Sequence, residues 1–217
     1  MADFIGERRK IADACRLLVD RGFFAGTGGN IGLRVADGFF AVTPSATEYS
    51  AMQAHDVAVL RLDTLEQVEG DRPASVERGL HAAMLRAYPA RPASIHTHQP
   101  VASALALLHR ELPWPPGFDR DLLGLRAGLV PYRPSGTGML VKALSGVLSP
   151  GVFVYLLASH GLILAGPTLD DGIAMAGRVE AAAARHLREL IAGNPGAAGA
   201  LRGDVLGYLD GIATEER

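Results

Sequence analysis

A single cysteine, Cys15, stands among 217 residues. That count excludes a disulfide framework, and a cysteine-rich zinc site with it. An excess of charge is lacking too: 21 basic and 23 acidic residues leave a formal net charge of −2, with no electrostatic footprint for nucleic acid or an anionic membrane. No apolar run approaches the ~20 residues of a membrane-spanning helix, and the opening MADFIGERRK is too charged for a secretory signal. These absences lead to the expectation of a cytoplasmic protein with neither a nucleic-acid nor a membrane partner. What is present is ordinary globular composition, 48% hydrophobic and 20% charged, in a chain long enough for one domain over residues 1–217.

Periodicity places most elements. Ile11, Ala14, Cys15 and Leu18 recur at helical spacing, and Gly22 follows where a helix C-cap would fall. GTGGN is too glycine-rich for regular structure. Ile31, Leu33 and Val35 alternate as in a strand, and Ala36-Asp37-Gly38 turns the chain into FFAVT, its hairpin partner. DVAVLRLD reads as a short strand followed by a polar loop to Asp71. SVERGLHAAMLRAY reads as a helix of about four turns. ASIHTH reads as a strand, and PVASALALLHR as a helix opened by proline. Residues 111–134 are rich in proline and glycine and resist assignment. VFVYLLASHGLILAG reads as two apolar strands around a Ser-His-Gly turn. A long helix runs from Thr168 to Ile191, with Thr168 and Asp171 near capping-box spacing. The tail from Gly193 is Gly/Ala-rich and ends in a short helix. Hairpins mixed with helices predict an α/β fold with a largely antiparallel sheet covered by helices.

Histidine carries the chemistry. His96 and His98 are two apart in a strand, so both rings project from one face, and paired neutral imidazoles suit Zn²⁺. Alone the pair reads equally well as an edge-strand feature, and a lone His160 in a tight Ser-His-Gly turn reads more often as structural. Three histidines on buried frameworks shift the reading toward a metal site with an open coordination position. Glu77, alone, reads as a helix-start carboxylate favoured by the macrodipole. His81, one turn further on, reads as its i,i+4 partner, with a supporting position behind the site as the alternative.

Taken in order, GTGGNIGLRV, VTPSA, GDRPASVERGLH, IHTHQPVA, VPYRPSGTG and ASHGLILAG resemble the class II aldolase/adducin family from about Ile11 to Leu190. GDxP…E and PYRPxGT are most similar to its sugar-phosphate aldolases and 3-oxo-tetronate 4-phosphate decarboxylases. The resemblance implies a three-layer α/β/α sandwich and one Zn²⁺ (or Mn²⁺ or Co²⁺) per chain on His96, His98 and His160. It implies Glu77 as the catalytic acid/base and a homotetramer with sites at subunit interfaces. The implied activity is a lyase on a small sugar, sugar phosphate or sugar acid, by retro-aldol cleavage through an enediolate that the cation stabilises. Decarboxylation, dehydration or epimerisation at the same metal is the alternative, and a non-catalytic adducin-like binding protein a remoter one.

The family's phosphate cradle maps onto Gly29, Asn30, Ser45, Ala46 and Ser75, with departures. Ala46 stands for a glycine, Val76 for a second serine, and Gly32 for a serine often found after Gly-Asn-x. Fewer hydroxyls imply weak phosphate binding, or reliance on backbone amides at the helix start near Ser75. The family's tyrosine supplied in trans is missing where PPGFDRD stands. Tyr208, in a tail (193–217) expected to reach a neighbouring subunit, is the candidate for a second one.

Overall fold

The computed structural model describes residues 4–194, 196 and 198–214. Helix α1 (Ile5–Asp20) turns Ile11, Ala12, Cys15 and Leu18 inward. It ends as the glycine predicts: Gly22 takes φ +70 and its N–H bonds the Val19 carbonyl at 2.9 Å. Strands β1 (Asn30–Ala36) and β2 (Phe39–Val42) form the expected hairpin, with Gly38 at φ +75 in the turn. β3 (Ala58–Arg61) and β4 (Gln67–Glu69) extend it outward.

Then come α2 (Arg78–Ala87), β5 (Ala93–Thr97), α3 (Pro100–Leu107) and the single-turn α4 (Arg120–Leu123). β6 (Ala127–Val130), α5 (Gly138–Val147), β7 (Val154–Leu157), β8 (Gly161–Gly166), α6 (Leu169–Ala192) and α7 (Arg202–Thr214) complete the order. The eight strands form one sheet, β4-β3-β2-β1-β5-β8-β7-β6.

Strand alternation sorts the helices into two layers. Ile31, Leu33, Ile95, Leu156, Leu162 and Leu164 pack with α1, α3 and α6. Tyr155, Leu157, Ile163 and Ala165 face the other way, against Leu80, Met84 and Leu140 of α2 and α5. The result is a three-layer α/β/α sandwich. Each fully buried Leu or Ile on these faces contributes roughly 1.5–3 kcal/mol. β5, in mid-sheet, is buried along its whole length.

The sheet is mixed rather than purely antiparallel: β6 and β7 run parallel. Their connection passes through α5, and a parallel pair needs such a crossover. That unit lies in and just after the stretch that resisted assignment. β4 replaces part of the expected polar loop. The helix expected over 75–88 begins only at Arg78, because Ser75 N–H bonds the Thr43 carbonyl at 3.0 Å and Pro44 bridges Ala74. The tail forms a 13-residue helix that lies on α6 of its own chain, where Arg202 bonds the Ile191 carbonyl at 2.7 Å. Among the described residues no helix is long and apolar enough to cross a membrane.

Candidate active site

The C-terminal end of β5, the turn between β7 and β8 and the start of α2 converge. His96, in register with Ile163 of β8, is fully buried, and its Nδ1–H donates to the Leu162 carbonyl at 2.7 Å. That bond fixes the tautomer and leaves the Nε2 lone pair facing the site. His98 lies just past the strand, its backbone N–H held by the Phe23 carbonyl at 3.0 Å. His160 follows Ser159, which adopts the left-handed φ of +56, and precedes Gly161. A β-carbon on Gly161 would sit 2.4 Å from the Thr97 carbonyl oxygen and 2.9 Å from the His98 ring, so only glycine lets β8 pass this close to β5.

The three ring centroids lie 4.7, 4.7 and 5.0 Å apart, each pair steeply inclined. One nitrogen from each ring falls within 4.8 Å of the others. Burial holds all three pKa values below the usual histidine value; the neighbouring imidazoles add to this at His96 and His98, while Glu77 opposes it at His160. The rings are therefore neutral near pH 7, the form that ligates a metal. Three convergent neutral imidazoles beside a carboxylate are a donor set that fits one divalent ion with coordination positions to spare.

Glu77 is the residue just before α2, yet its side chain makes no cap bond to the helix. It turns instead toward the histidines, with Oε2 3.3 Å from His96 Nε2 and Oε1 3.5 Å from His160 Nε2. Asn30 Nδ2 donates to Oε2 at 2.8 Å, while Oε1 is buried without a hydrogen-bond partner. The expected i,i+4 pairing of Glu77 with His81 is not what joins them. His81 Nε2 meets Asn30 Oδ1 at 2.6 Å and its Nδ1 meets Ser94 Oγ at 2.9 Å, so Asn30 stands between the two. Burial, then His96, pushes the His81 pKa down to about 3.

A cavity of about 310 Å³ opens onto this cluster, and it gathers Gly29, Asn30, Ser45, Ala46 and Ser75 with Glu77, His98 and His160. The sequence did not single out Thr27, Ser135 and Gly136, which line it as well. GTGGN holds the first and PSGTG the other two, motifs that attached no role to these residues. The cavity's donors differ from expectation. The amides of Ser45, Ser75, Glu77 and Arg78 are already bonded within the chain, to Pro73 O, Thr43 O, Ser75 Oγ and Ser75 O. The helix start near Ser75 thus offers fewer free amides than the motif suggests. Ala46 holds φ +48, in the left-handed region that favours glycine. Gly32 lies outside the cavity: a β-carbon there would meet His81 Cβ at 2.7 Å, so a serine would collide with His81. Tyr208, 55% exposed, lines a separate cavity with Phe23, Pro100 and Glu180.

Residues 9–187 match the family model of the class II aldolase and adducin N-terminal domain. The chain belongs to the class II aldolase/adducin family. It is 31% identical to a 5-deoxy-D-ribulose 1-phosphate aldolase of Bacillus thuringiensis serovar kurstaki, over 87% of this chain and 88% of that one. It is 32% identical to a 3,4-dihydroxyphthalate decarboxylase of Arthrobacter keyseri, over 87% and 80%. An L-fuculose 1-phosphate aldolase structure superposes with a TM-score of 0.76 at 23% identity, over 95% of this chain and 93% of that one, which shows the shared fold. The relatives nevertheless span more than one reaction.

Proposed function

We propose that the protein is a divalent-metal-dependent carbon–carbon lyase that cleaves a small sugar phosphate or related sugar by a retro-aldol reaction. One observation carries this reading: Glu77 Oε1 is buried without a hydrogen-bond partner and lies 3.5 Å from His160 Nε2, beside the three imidazoles. His96, His98 and His160 would hold the ion, as Zn²⁺, Mn²⁺ or Co²⁺. A cation bound there draws charge from the substrate's oxygens as a Lewis acid.

The chain's own residues supply the rest. Glu77 Oε1 takes the proton of the hydroxyl on the carbon beyond the scissile bond. That oxygen closes to an aldehyde, and the bond's electron pair passes to the carbonyl side of the substrate. Glu77 then returns the proton to the new carbon terminus. The cavity beside Asn30, Ser45 and Ser75 receives the substrate's charged end. Ala46 and Val76 make it less polar than the family pattern, so phosphate binding is weak. A homotetrameric working form, with Tyr208 near a neighbouring subunit, rests on the family resemblance.

Decarboxylation is the second reading, favoured by the apolar Ala46 and Val76 at the cavity and by the 32% identity to the dihydroxyphthalate enzyme. Incubating the metal-loaded protein with 5-deoxy-D-ribulose 1-phosphate and, separately, with 3,4-dihydroxyphthalate discriminates the two. Release of dihydroxyacetone phosphate and acetaldehyde is expected. Carbon dioxide from the second compound, with no cleavage of the first, overturns the aldolase reading.

A further inference from the structure

Ser94, His81, Asn30 and Glu77 form one hydrogen-bonded chain running from β5, across α2 and β1, to the site. All four residues are buried, and His81 is fully so. Donors and acceptors fit along it in one direction only. An ionised Glu77 Oε2 can only accept, so Asn30 must present its Nδ2–H to it. The Asn30 carboxamide then turns Oδ1 to His81, which needs a proton on Nε2. His81 Nδ1, left as an acceptor, accepts a hydrogen bond from the Ser94 hydroxyl at 2.9 Å. Rotating the Asn30 amide by half a turn would set oxygen against carboxylate and nitrogen against an N–H donor, breaking two buried bonds at once.

We propose that His81 is a positioning residue for Glu77, acting through Asn30: it locks the Asn30 carboxamide in the one orientation that ties down Glu77 Oε2 and leaves Oε1 to carry the proton. This rests on the reading of Glu77 as the proton carrier. It gives Asn30 a different duty from anion binding, since its oxygen and one amide hydrogen are both committed. It also explains two local features. His81 approaches β1 closely enough to need Gly32 beneath it, and Glu77 gives up the helix-capping bond open to a residue in its position.

The test compares His81→Gln, whose carboxamide can still donate to Asn30, with His81→Leu, which fills the space and donates nothing. Leu should lower kcat roughly 10- to 100-fold, the usual effect of a lost supporting partner, with KM within about threefold and the metal retained. Gln should recover most of the loss. If the Leu variant fails to fold, His81→Met, which likewise donates nothing to Asn30, takes its place in the comparison. Full kcat in the Leu variant, or equal damage from Gln and Leu, overturns the proposal. A second readout needs no turnover. Imidazole ¹⁵N NMR of the wild type should show His81 neutral, with a slowly exchanging Nε2–H that loses its protection in Asn30→Ala. An Nδ1–H tautomer contradicts the chain even if the lyase reading itself fails.

Discussion

Glu77 and Ala46 show how much a residue's role depends on what the fold brings to it. Glu77 is a carboxylate at a helix start, and by position alone it belongs to the macrodipole. What redirects it is Asn30, 47 positions away, together with His96 and His160. No local pattern encodes that meeting, and only the family motifs brought it within reach of the sequence. Glu77→Gln should fold and keep its metal while losing roughly 10²- to 10⁴-fold in turnover, as acid–base groups do. Near-normal turnover would reduce Glu77 to a helix-start residue. Ala46 is the reverse case, since its departure from the glycine pattern was visible but its φ of +48 was not. A left-handed non-glycine costs about 1–2 kcal/mol, while added glycine freedom in the unfolded chain returns about 0.4–1 kcal/mol of that. Ala46→Gly should therefore be neutral to about 1.6 kcal/mol more stable by urea denaturation. Combined with Val76→Ser, it should raise kcat/KM for phosphorylated substrates only. An equal change on unphosphorylated substrates would remove the anion from this part of the cavity.

Elements with a clear period were legible, and elements without one were not. α1, α3 and α6 and the hairpin strands announced themselves through spacing and through Gly22, Pro100 and Thr168. β4 is only three residues long and lies in a polar stretch, and β6 lies within the proline- and glycine-rich residues 111–134. α5 hides behind Pro134 and Gly136, although Thr137 caps it by accepting the Leu140 N–H. α7 carries Gly203, Gly207 and Gly211, each about 1 kcal/mol worse than alanine in a helix, and its packing on α6 offsets that. The β5–β8 contact is the element-level device that holds the site, and Gly161 is its narrowest point. Gly161→Ala should destabilise the fold by roughly 1–3 kcal/mol, as overpacking does, and weaken metal retention with it. A melt within one degree of wild type, with full metal, would show that the strands can separate at no cost.

At the scale of the molecule, the sheet stands between two helical layers and the site sits where strand ends and a helix start meet. The class of fold was readable from hairpins mixed with helices. The parallel β6–β7 pair was not, because its crossover helix was unassigned. Holding four histidines neutral, two of them fully buried and two partly, also has a consequence for the whole chain. His81 titrates at about 3 in the folded state and near 6.5 when unfolded, and burial depresses His96, His98 and His160 in the same direction. Above pH 6.5 both states are neutral and stability is complete. As the pH falls below 6.5 the unfolded chain binds protons that the folded one refuses, so stability drops toward pH 3 by up to about 1.4 kcal/mol per pH unit for each such ring. Denaturant midpoints of the chelated protein should therefore fall steadily from pH 7 to pH 5, with a shallower slope in His81→Gln. Flat midpoints over that range would mean that the rings are not held neutral.

Those neutral rings matter because they are read as metal ligands, and counting the ion tests that most directly. Elemental analysis of the purified wild type should find about one divalent transition-metal ion per chain. His96→Ala and His160→Ala, still folded by circular dichroism, should each have lost it. Undiminished metal in either variant, or a folded wild type that takes up none when offered Zn²⁺, Mn²⁺ or Co²⁺, would contradict the metal centre on which the proposed lyase chemistry depends.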